Sequence, residues 1–281
     1  MAKSVAIQGI KGCFHDEAAQ KFFCNEQIAT VDCDTFASLA EKIKSDPSLL
    51  GVLAIENTIA GSLLQNHDII SKNDLRIIGE YKMRISHSLA ALPGQDMDDI
   101  IEVNSHPMAL MQCEEFLSKY PRIKVIEKFD TAGSAKEISE NKLAGHAAIC
   151  SSHAAEVYGL EVIESGIETN KHNFTRFLIV AHPLNNEAAA LAGKPDKASI
   201  VFTLPHSQGA LSKVLTILAF YDLNLTKIQS FPIVGREWEY KFYVDLTFDD
   251  TSRYRQGLEA VKPLTSGFKI LGEYESCKKI L

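Results

Sequence analysis

No apolar stretch in the 281-residue sequence approaches the roughly 18 to 20 uninterrupted residues of a membrane span. Membrane partners are therefore not expected. The opening Met1-Ala2-Lys3-Ser4 runs straight into a strand-like Val5-Ala6-Ile7, without the apolar core and small-residue cleavage site of a signal peptide, so the expected location is cytoplasmic. A basic surplus is also missing. The formal net charge is −7, which leaves little to neutralise a phosphate backbone and argues against nucleic acid as a partner. The six cysteines (Cys13, Cys24, Cys33, Cys113, Cys150 and Cys277) include no Cys-x-x-Cys pair and no histidine at zinc-ligand spacing. Reduced thiols and no metal site are the expectation. Glycine-rich phosphate loops are absent as well: the first turn, Gly9-Ile10-Lys11-Gly12, is too sparse in glycine for a dinucleotide, and no cofactor is expected. No Gly-x-Ser-x-Gly turn occurs, and the nine histidines follow no triad order.

The sequence does carry ordinary globular composition, 46% apolar and 23% charged, enough for one large core or two to three smaller ones. Its first ~180 residues alternate strand-like apolar runs with amphipathic helical ones, the pattern of a mostly parallel sheet flanked by helices. Val5-Ala6-Ile7-Gln8 reads as a strand, Thr35 as an N-cap, and residues 49–55 as a buried strand ending on polar Glu56-Asn57-Thr58. Further on, a helix is expected from Pro107 to about Ser118, and Phe177-Leu178-Ile179-Val180 closes the region as a late strand that returns to the first lobe. The expected fold class is α/β, two lobes around a cleft in a periplasmic-binding-protein-like arrangement. The expected bounds are 1–82 with 172–182 for one lobe and 83–171 for the other.

Residues 183–197 interrupt the alternation with Asn-Asn, an Ala-rich patch, Gly193 and Pro195, and are read as a linker. From 198 to 281 the order becomes strand, helix, strand, strand, helix, strand, a ferredoxin-like βαββαβ unit. Such a small module often pairs with a copy of itself, so a homodimer or homotetramer is expected.

Polar residues at the carboxyl ends of strands are the candidates for chemistry. In Asn173-Phe174-Thr175-Arg176-Phe177, an arginine at a strand head supplies a planar fork for a carboxylate, and the threonine a hydroxyl for a leaving oxygen. Residues 51–62 run from a strand through Glu56, Asn57 and Thr58 into a helix expected near Gly61-Ser62, where free N–H groups favour an anion. Ser105-His106-Pro107 and Asp130-Thr131-Ala132 have the same strand-to-helix form, for which simple capping is the alternative. His15 and His106 are candidate proton donors.

Taken together and in this order, these blocks resemble the prephenate dehydratase family. Gly9-Ile-Lys-Gly-Cys-Phe-His15, residues 51–62, Ser105-His-Pro, Asp130-Thr-Ala, residues 147–160 and Asn173-Phe-Thr-Arg-Phe177 are similar to its successive motifs. Residues 209–215 and Asn224-Leu-Thr-Lys-Ile-Gln-Ser-Phe-Pro232 resemble the two effector motifs of its ACT regulatory domain. The chain departs from the family at Cys13 and His15, where Thr and Ser are usual, at Ala54 and Thr58, and at Gln229-Ser-Phe231-Pro, where Glu-Ser-Arg-Pro is usual. The resemblance implies a carbon–oxygen lyase of L-phenylalanine biosynthesis that removes carbon dioxide and hydroxide from prephenate without cofactor or metal. It implies Arg176 on a carboxylate and Thr175 at the leaving hydroxyl, with Glu56, Asn57, Thr58, Ser62, Ser105, Thr131, Asn173 and Phe177 around the substrate. It further implies phenylalanine as effector near Gly209, Ala210, Leu211, Asn224, Gln229 and Ser230. An arogenate dehydratase and a non-catalytic small-molecule binding protein are the alternatives.

Overall fold

The computed structural model describes residues 2–233, 235 and 239–277. The first lobe is built from β1 (Lys3–Gln8), α1 (Phe14–Phe22), β2 (Ile28–Cys33), α2 (Phe36–Ser45), β3 (Leu50–Asn57), β4 (Gly61–Ser62), α3 (Leu64–Lys72) and β5 (Arg76–Arg84). The second contains β6 (Ser88–Ala91), β7 (Glu102–Ser105), α4 (Pro107–Gln112), α5 (Glu114–Leu117), β8 (Lys124–Glu127), α6 (Thr131–Asn141), β9 (His146–Cys150), α7 (Ser152–Val157) and β10 (Glu161–Ser165). The chain then returns to the first lobe as β11 (Phe174–Ala181) and continues through α8 (Asn186–Ala190). The C-terminal unit is β12 (Lys197–Thr203), α9 (Ala210–Phe220), β13 (Asn224–Pro232), β14 (Tyr240–Thr247), α10 (Thr251–Val261) and β15 (Ser266–Tyr274).

Both lobe sheets are mixed, which corrects the expectation of mostly parallel ones. In the first, β1 lies parallel to β2 and β3, while β11 inserts antiparallel between β3 and β5. In the second, ordered β10-β6-β9-β7-β8, only the β7 pairings are parallel. The returning strand causes this. Because β11 must come back from the far lobe, it enters the sheet against the direction of β3, and two segments, residues 85–87 and 166–173, cross between lobes. Glu168 ties these crossings together, accepting from Arg84 Nη2 and the His87 N–H, both at 2.9 Å.

Near-continuous apolar runs form the buried strands: Leu50 to Ile55 on β3 and Phe177 to Ala181 on β11 are all buried, as expected where both sheet faces are covered. Gly51 lets α2 pack closely there, since a Cβ would lie 2.5 Å from Ile43 Cδ1 and 3.0 Å from Leu39 Cδ2 and those side chains would have to shift. The helix expected over 107–118 is instead two pieces, α4 and α5, divided at Cys113.

The C-terminal strands have the order β13-β14-β12-β15, all antiparallel, with α9 and α10 closing one apolar core around Phe202, Leu218, Tyr254 and Leu258. The opposite face of this sheet is not free. Val201, Tyr243, Leu271 and Tyr274 join a core with Ile55, Ile70, Leu178 and Val180 of the first lobe. The stretch read as a linker is packed too: Ala188 and Ala192 are buried, Ala192 O accepts from the Glu275 N–H, and Lys197 already belongs to β12. Residues 278–281, at the end of the expected regulatory domain, lie outside the described residues.

The two sheets meet where Gly272 of β15 pairs with Ile77 of β5. A Cβ on Gly272 would overlap the Ile77 carbonyl and lie 2.6 Å from Ile77 Cβ. Backbone cannot yield as a flexible side chain does, so Gly272→Ala is expected to cost at least about 1–3 kcal/mol, the range for overpacking. Denaturant unfolding of the variant beside the parent checks this.

Candidate active site

Strand alternation assigns the site residues to two opposite faces. On β11, Thr175 and Phe177 face the cleft between the lobes, whereas Arg176 faces the C-terminal unit. On β3 the paired residues divide in the same way: Asn57 stands opposite Thr175, and Glu56 opposite Arg176.

The cleft encloses about 260 Å³ and is lined, among others, by Asn57, His87, Gln112, Thr131, Asn173 and Thr175, with Phe14, Leu63, Ile85, Met108 and Phe177 as apolar wall. Its polar side is one directed chain of hydrogen bonds. Asn57 Oδ1 accepts from the Ile59 and Ala60 N–H groups at 2.9 and 2.8 Å, so the Asn57 amide NH₂ must be the group that donates to Asn173 Oδ1 (2.7 Å) and Thr175 Oγ1 (2.9 Å). Asn173 Nδ2 then donates to Gln112 Oε1 at 3.1 Å, and His87 Nε2 donates to the same oxygen at 2.8 Å. Backbone geometry thus orients every member. Thr175 Oγ1 accepts from Asn57, which leaves its own O–H available to the cleft, and Gln112 keeps its NH₂ as a further donor.

Two histidines of this wall, His15 and His87, are held towards the neutral form. Burial pushes His15 down to about 4, with its Nε2 accepting from the Ala54 N–H at 3.3 Å and its ring edge-on to Phe36 and Phe177. Burial also lowers His87, more than the Gln112 hydrogen bond and Glu168 raise it. Burial raises the Cys13 thiol to about 12. Among the described residues, no lysine or arginine lines the cleft. What favours an anion here is the start of α1, whose N-cap Cys13 makes no side-chain cap; the start of α6 is instead taken by the Asp130 carboxylate, which accepts from the Gly133 N–H at 2.8 Å and itself lines the cleft.

Five expected site residues lie elsewhere. Arg176 is corrected first: its guanidinium is 5% exposed and away from the cleft, with Nε on Glu80 at 2.6 Å, Nη1 on Asp245 at 2.5 Å and Glu56 at 3.3 Å, and Nη2 donating to Tyr274 at 3.1 Å. The carboxylates it grips belong to the chain itself. Glu56 faces the same cluster and also takes Lys227 Nζ at 2.6 Å. Ser62 is in the short strand β4, which folds back on β3, so the expected helix start there is a hairpin; its hydroxyl accepts from Lys227. Ser105 is fully buried and donates to the Ile149 carbonyl at 2.6 Å, a core role. Thr58 latches the crossing segment, donating to His172 O and accepting from the Phe174 N–H. Asn57, Thr131, Asn173, Thr175 and Phe177 all line the cleft, as do both candidate donors, His15 and His106. Gln112 and His87 were not anticipated: they join the chain only because the lobes close, and no local pattern marks them.

The six expected effector residues do not gather at one point. Gly209, in the left-handed region at φ 73°, precedes α9, with Ala210 and Leu211 in its first turn. Gln229 and Ser230 pair with Tyr243 and Phe242, at the level of Val201 and Phe202 near that turn, whereas Asn224 pairs with Thr247 at the level of Lys197, the far end of the sheet.

The Arg176 cluster has a pH signature. Burial alone would raise Glu80 and Asp245, but Arg176 and Lys197 outweigh it and hold both carboxylates below their ordinary range. Their stabilisation is therefore complete above the unfolded carboxylate values of about 4 and is lost as pH falls through the lower folded ones. Unfolding free energy should be level near neutrality and fall below about pH 4, with a shallower fall in Asp245→Asn. Arg176→Leu, which strands two buried carboxylates, should cost about 3–5 kcal/mol, read by denaturant unfolding at pH 7.

Comparison with known proteins agrees with this architecture. A family model described as prephenate dehydratase matches residues 5–185. An Arabidopsis thaliana protein described as arogenate dehydratase/prephenate dehydratase 6, chloroplastic, is 36% identical over 286 residues, covering 96% of this chain and 68% of its own. Among solved structures, a prephenate dehydratase from Arthrobacter aurescens in complex with L-Phe superposes with a TM-score of 0.81 at 26% identity, over 96% of this chain and 89% of that one. A protein described as a novel type of quorum quenching acylase, GqqA, superposes with a TM-score of 0.86 at 26% identity, over 98% of each chain.

Proposed function

The chain belongs to the prephenate dehydratase family, and from that premise we propose that its interlobe cleft converts prephenate to phenylpyruvate in L-phenylalanine biosynthesis. The observation that carries the reading is the orientation of Thr175: with Asn57 donating to its Oγ1, its own proton is directed to whatever oxygen occupies the cleft. In the reaction the bond from ring carbon to carboxylate breaks and its electron pair enters the ring. The bond to the ring hydroxyl breaks in turn, and with one proton the products are phenylpyruvate, carbon dioxide and water.

Aromatisation drives this step, so the protein has to hold the dianion and stabilise the departing oxygen. Thr175, backed by Asn57, supplies the hydrogen bond to that oxygen, and Gln112 adds a second donor. The departing carboxylate has no cation beside it among the described lining residues. Apolar surroundings then favour the transition state, in which its charge is spreading into the ring, over the localised ground state. Asn173 and Thr131 complete the polar side, with Phe177 as apolar floor.

Arogenate differs from prephenate in carrying an ammonium where prephenate has a keto oxygen. The Arabidopsis thaliana relative bears both activities in its description, so parallel assays with the two substrates separate them. A hydrolytic reading after the acylase relative has less support: the Cys13 thiol is pushed up to about 12 by burial, and Thr175 Oγ1 meets an amide and no base.

The C-terminal unit, residues 198–281, is proposed as an ACT regulatory domain with phenylalanine as effector. Its βαββαβ strand order, and the place of Gln229 and Ser230 on β13 level with the end of β12 that leads to Gly209, support this. Among the described residues, edge strand β13 has no partner on its outer side, in keeping with a homodimer or homotetramer. A catalytic unit ending near 182 and a cytoplasmic location are part of the same proposal; no helix among the described residues is long and apolar enough to cross a membrane.

Phenylpyruvate release from prephenate, followed with and without phenylalanine, tests the whole reading. Thr175→Ala should lower kcat by about 10²–10³-fold, as for loss of one transition-state donor, while Thr175→Ser stays within about tenfold of the parent. A Thr175→Ala protein with parental turnover would remove Thr175 from the reaction.

A further inference from the structure

The four residues Glu56-Asn57 and Thr175-Arg176 form two adjacent rungs of one antiparallel ladder. One rung, Asn57 with Thr175, faces the cleft. The other, Glu56 with Arg176, faces the C-terminal unit and is held there by residues from each of its four strands. Asp245 of β14 and Tyr274 of β15 hold Arg176 directly. Ser199 of β12 donates to Asp245 at 2.5 Å, and Lys197 joins through Glu80 at 2.8 Å. Lys227 of β13 grips Glu56 at 2.6 Å and Ser62 at 3.1 Å.

The ladder is also irregular at this point. Pairing of β11 with β3 shifts register between Arg176 and Phe177, so that Arg176 opposes Glu56 and Phe177 opposes Ala54. A bulge loosens the backbone locally and re-aims side chains. Side chains on this segment are accordingly set by what grips them more than by the sheet. Three cations and three carboxylates (Arg176, Lys197 and Lys227 with Glu56, Glu80 and Asp245) balance in a mostly buried cluster, where the loss of one partner leaves another uncompensated.

We infer that Glu56 and Arg176 are positioning residues through which the C-terminal unit sets the geometry of the Asn57–Thr175 pair, with Lys227 as the contact from β13. A peptide rung cannot tilt on one face alone. If Lys227 releases Glu56, the Glu56-Asn57 backbone relaxes and the Asn57 amide turns with it, changing the direction of the Thr175 hydroxyl. Lys227 lies two and three residues before Gln229 and Ser230 on the same strand, so anything bound at those positions reaches the cleft through a single side chain. The packed stretch 183–197 need not move for this to happen.

The test compares the full-length parent with Lys227→Met and Lys227→Arg. Its turnover arm rests on the catalytic reading above; its exchange arm does not. Lys227→Met should lower kcat for prephenate by about 2- to 30-fold, the scale of such coupling, with KM little changed, and Lys227→Arg should restore it. Amide hydrogen exchange should quicken in the peptides spanning residues 54–60 and 173–178 of Lys227→Met, and not across the second lobe. Unchanged exchange in both peptides, or a uniform rise over the whole chain, would overturn the inference whatever the turnover. Should the parent itself not turn over prephenate, the functional reading fails and the exchange data alone decide.

Discussion

Everything functional in this molecule depends on how strand β11 is held. It enters the first sheet from the far lobe, antiparallel between β3 and β5, and so offers one face to the interlobe cleft and the other to the C-terminal unit. Placing Thr175 and Arg176 side by side on such a strand sends the hydroxyl one way and the guanidinium the other. The same two-residue segment thereby faces both the cleft and the domain joint. Few cheaper arrangements exist for linking two sites, since no element between them has to move as a body.

The two faces are built on different physics. Facing the cleft, neutral amides, one hydroxyl and one histidine form a chain whose direction is set at its origin by two backbone N–H groups on Asn57. Preorganised dipoles of this kind stabilise developing charge without the reorganisation that water would need. On the other face, charges carry the load. Arg176 is buried among carboxylates that it holds ionised, and such clusters are intolerant of losing one member even where their net contribution to stability is small.

Much of this was legible in the sequence. Composition and alternation indicated an α/β chain with a second, βαββαβ unit, and the polar ends of β3 and β11 marked Asn57, Asn173 and Thr175 for the cleft. Arg176 reads as part of the cleft from its place beside Thr175, but neighbours on a strand face opposite sides, and its charged fork meets Glu80 and Asp245 at the domain joint. Glu56 beside Asn57 fails for the same reason. Ser105 looked like a cap and is buried under Ile149 O. Gln112 and His87 were invisible, as their roles arise from contacts with Asn173 and with each other across 61 and 25 residues, set by lobe closure and by no local motif. The packing of 183–197 was hidden likewise, because Asn, Gly and Pro signal a break in regular structure and say nothing about burial.

The central claim, that Thr175 faces the reacting ring while Arg176 serves the domain joint, is tested most directly by a diffraction structure of the protein with phenylpyruvate bound. The account predicts the product in the cleft with its ring against Phe177 and Thr175 Oγ1 within about 4 Å of the ring carbon that carried the hydroxyl, and Arg176 still paired with Glu80 and Asp245. A product carboxylate seated on Arg176, or a ring bound away from Thr175, would contradict it.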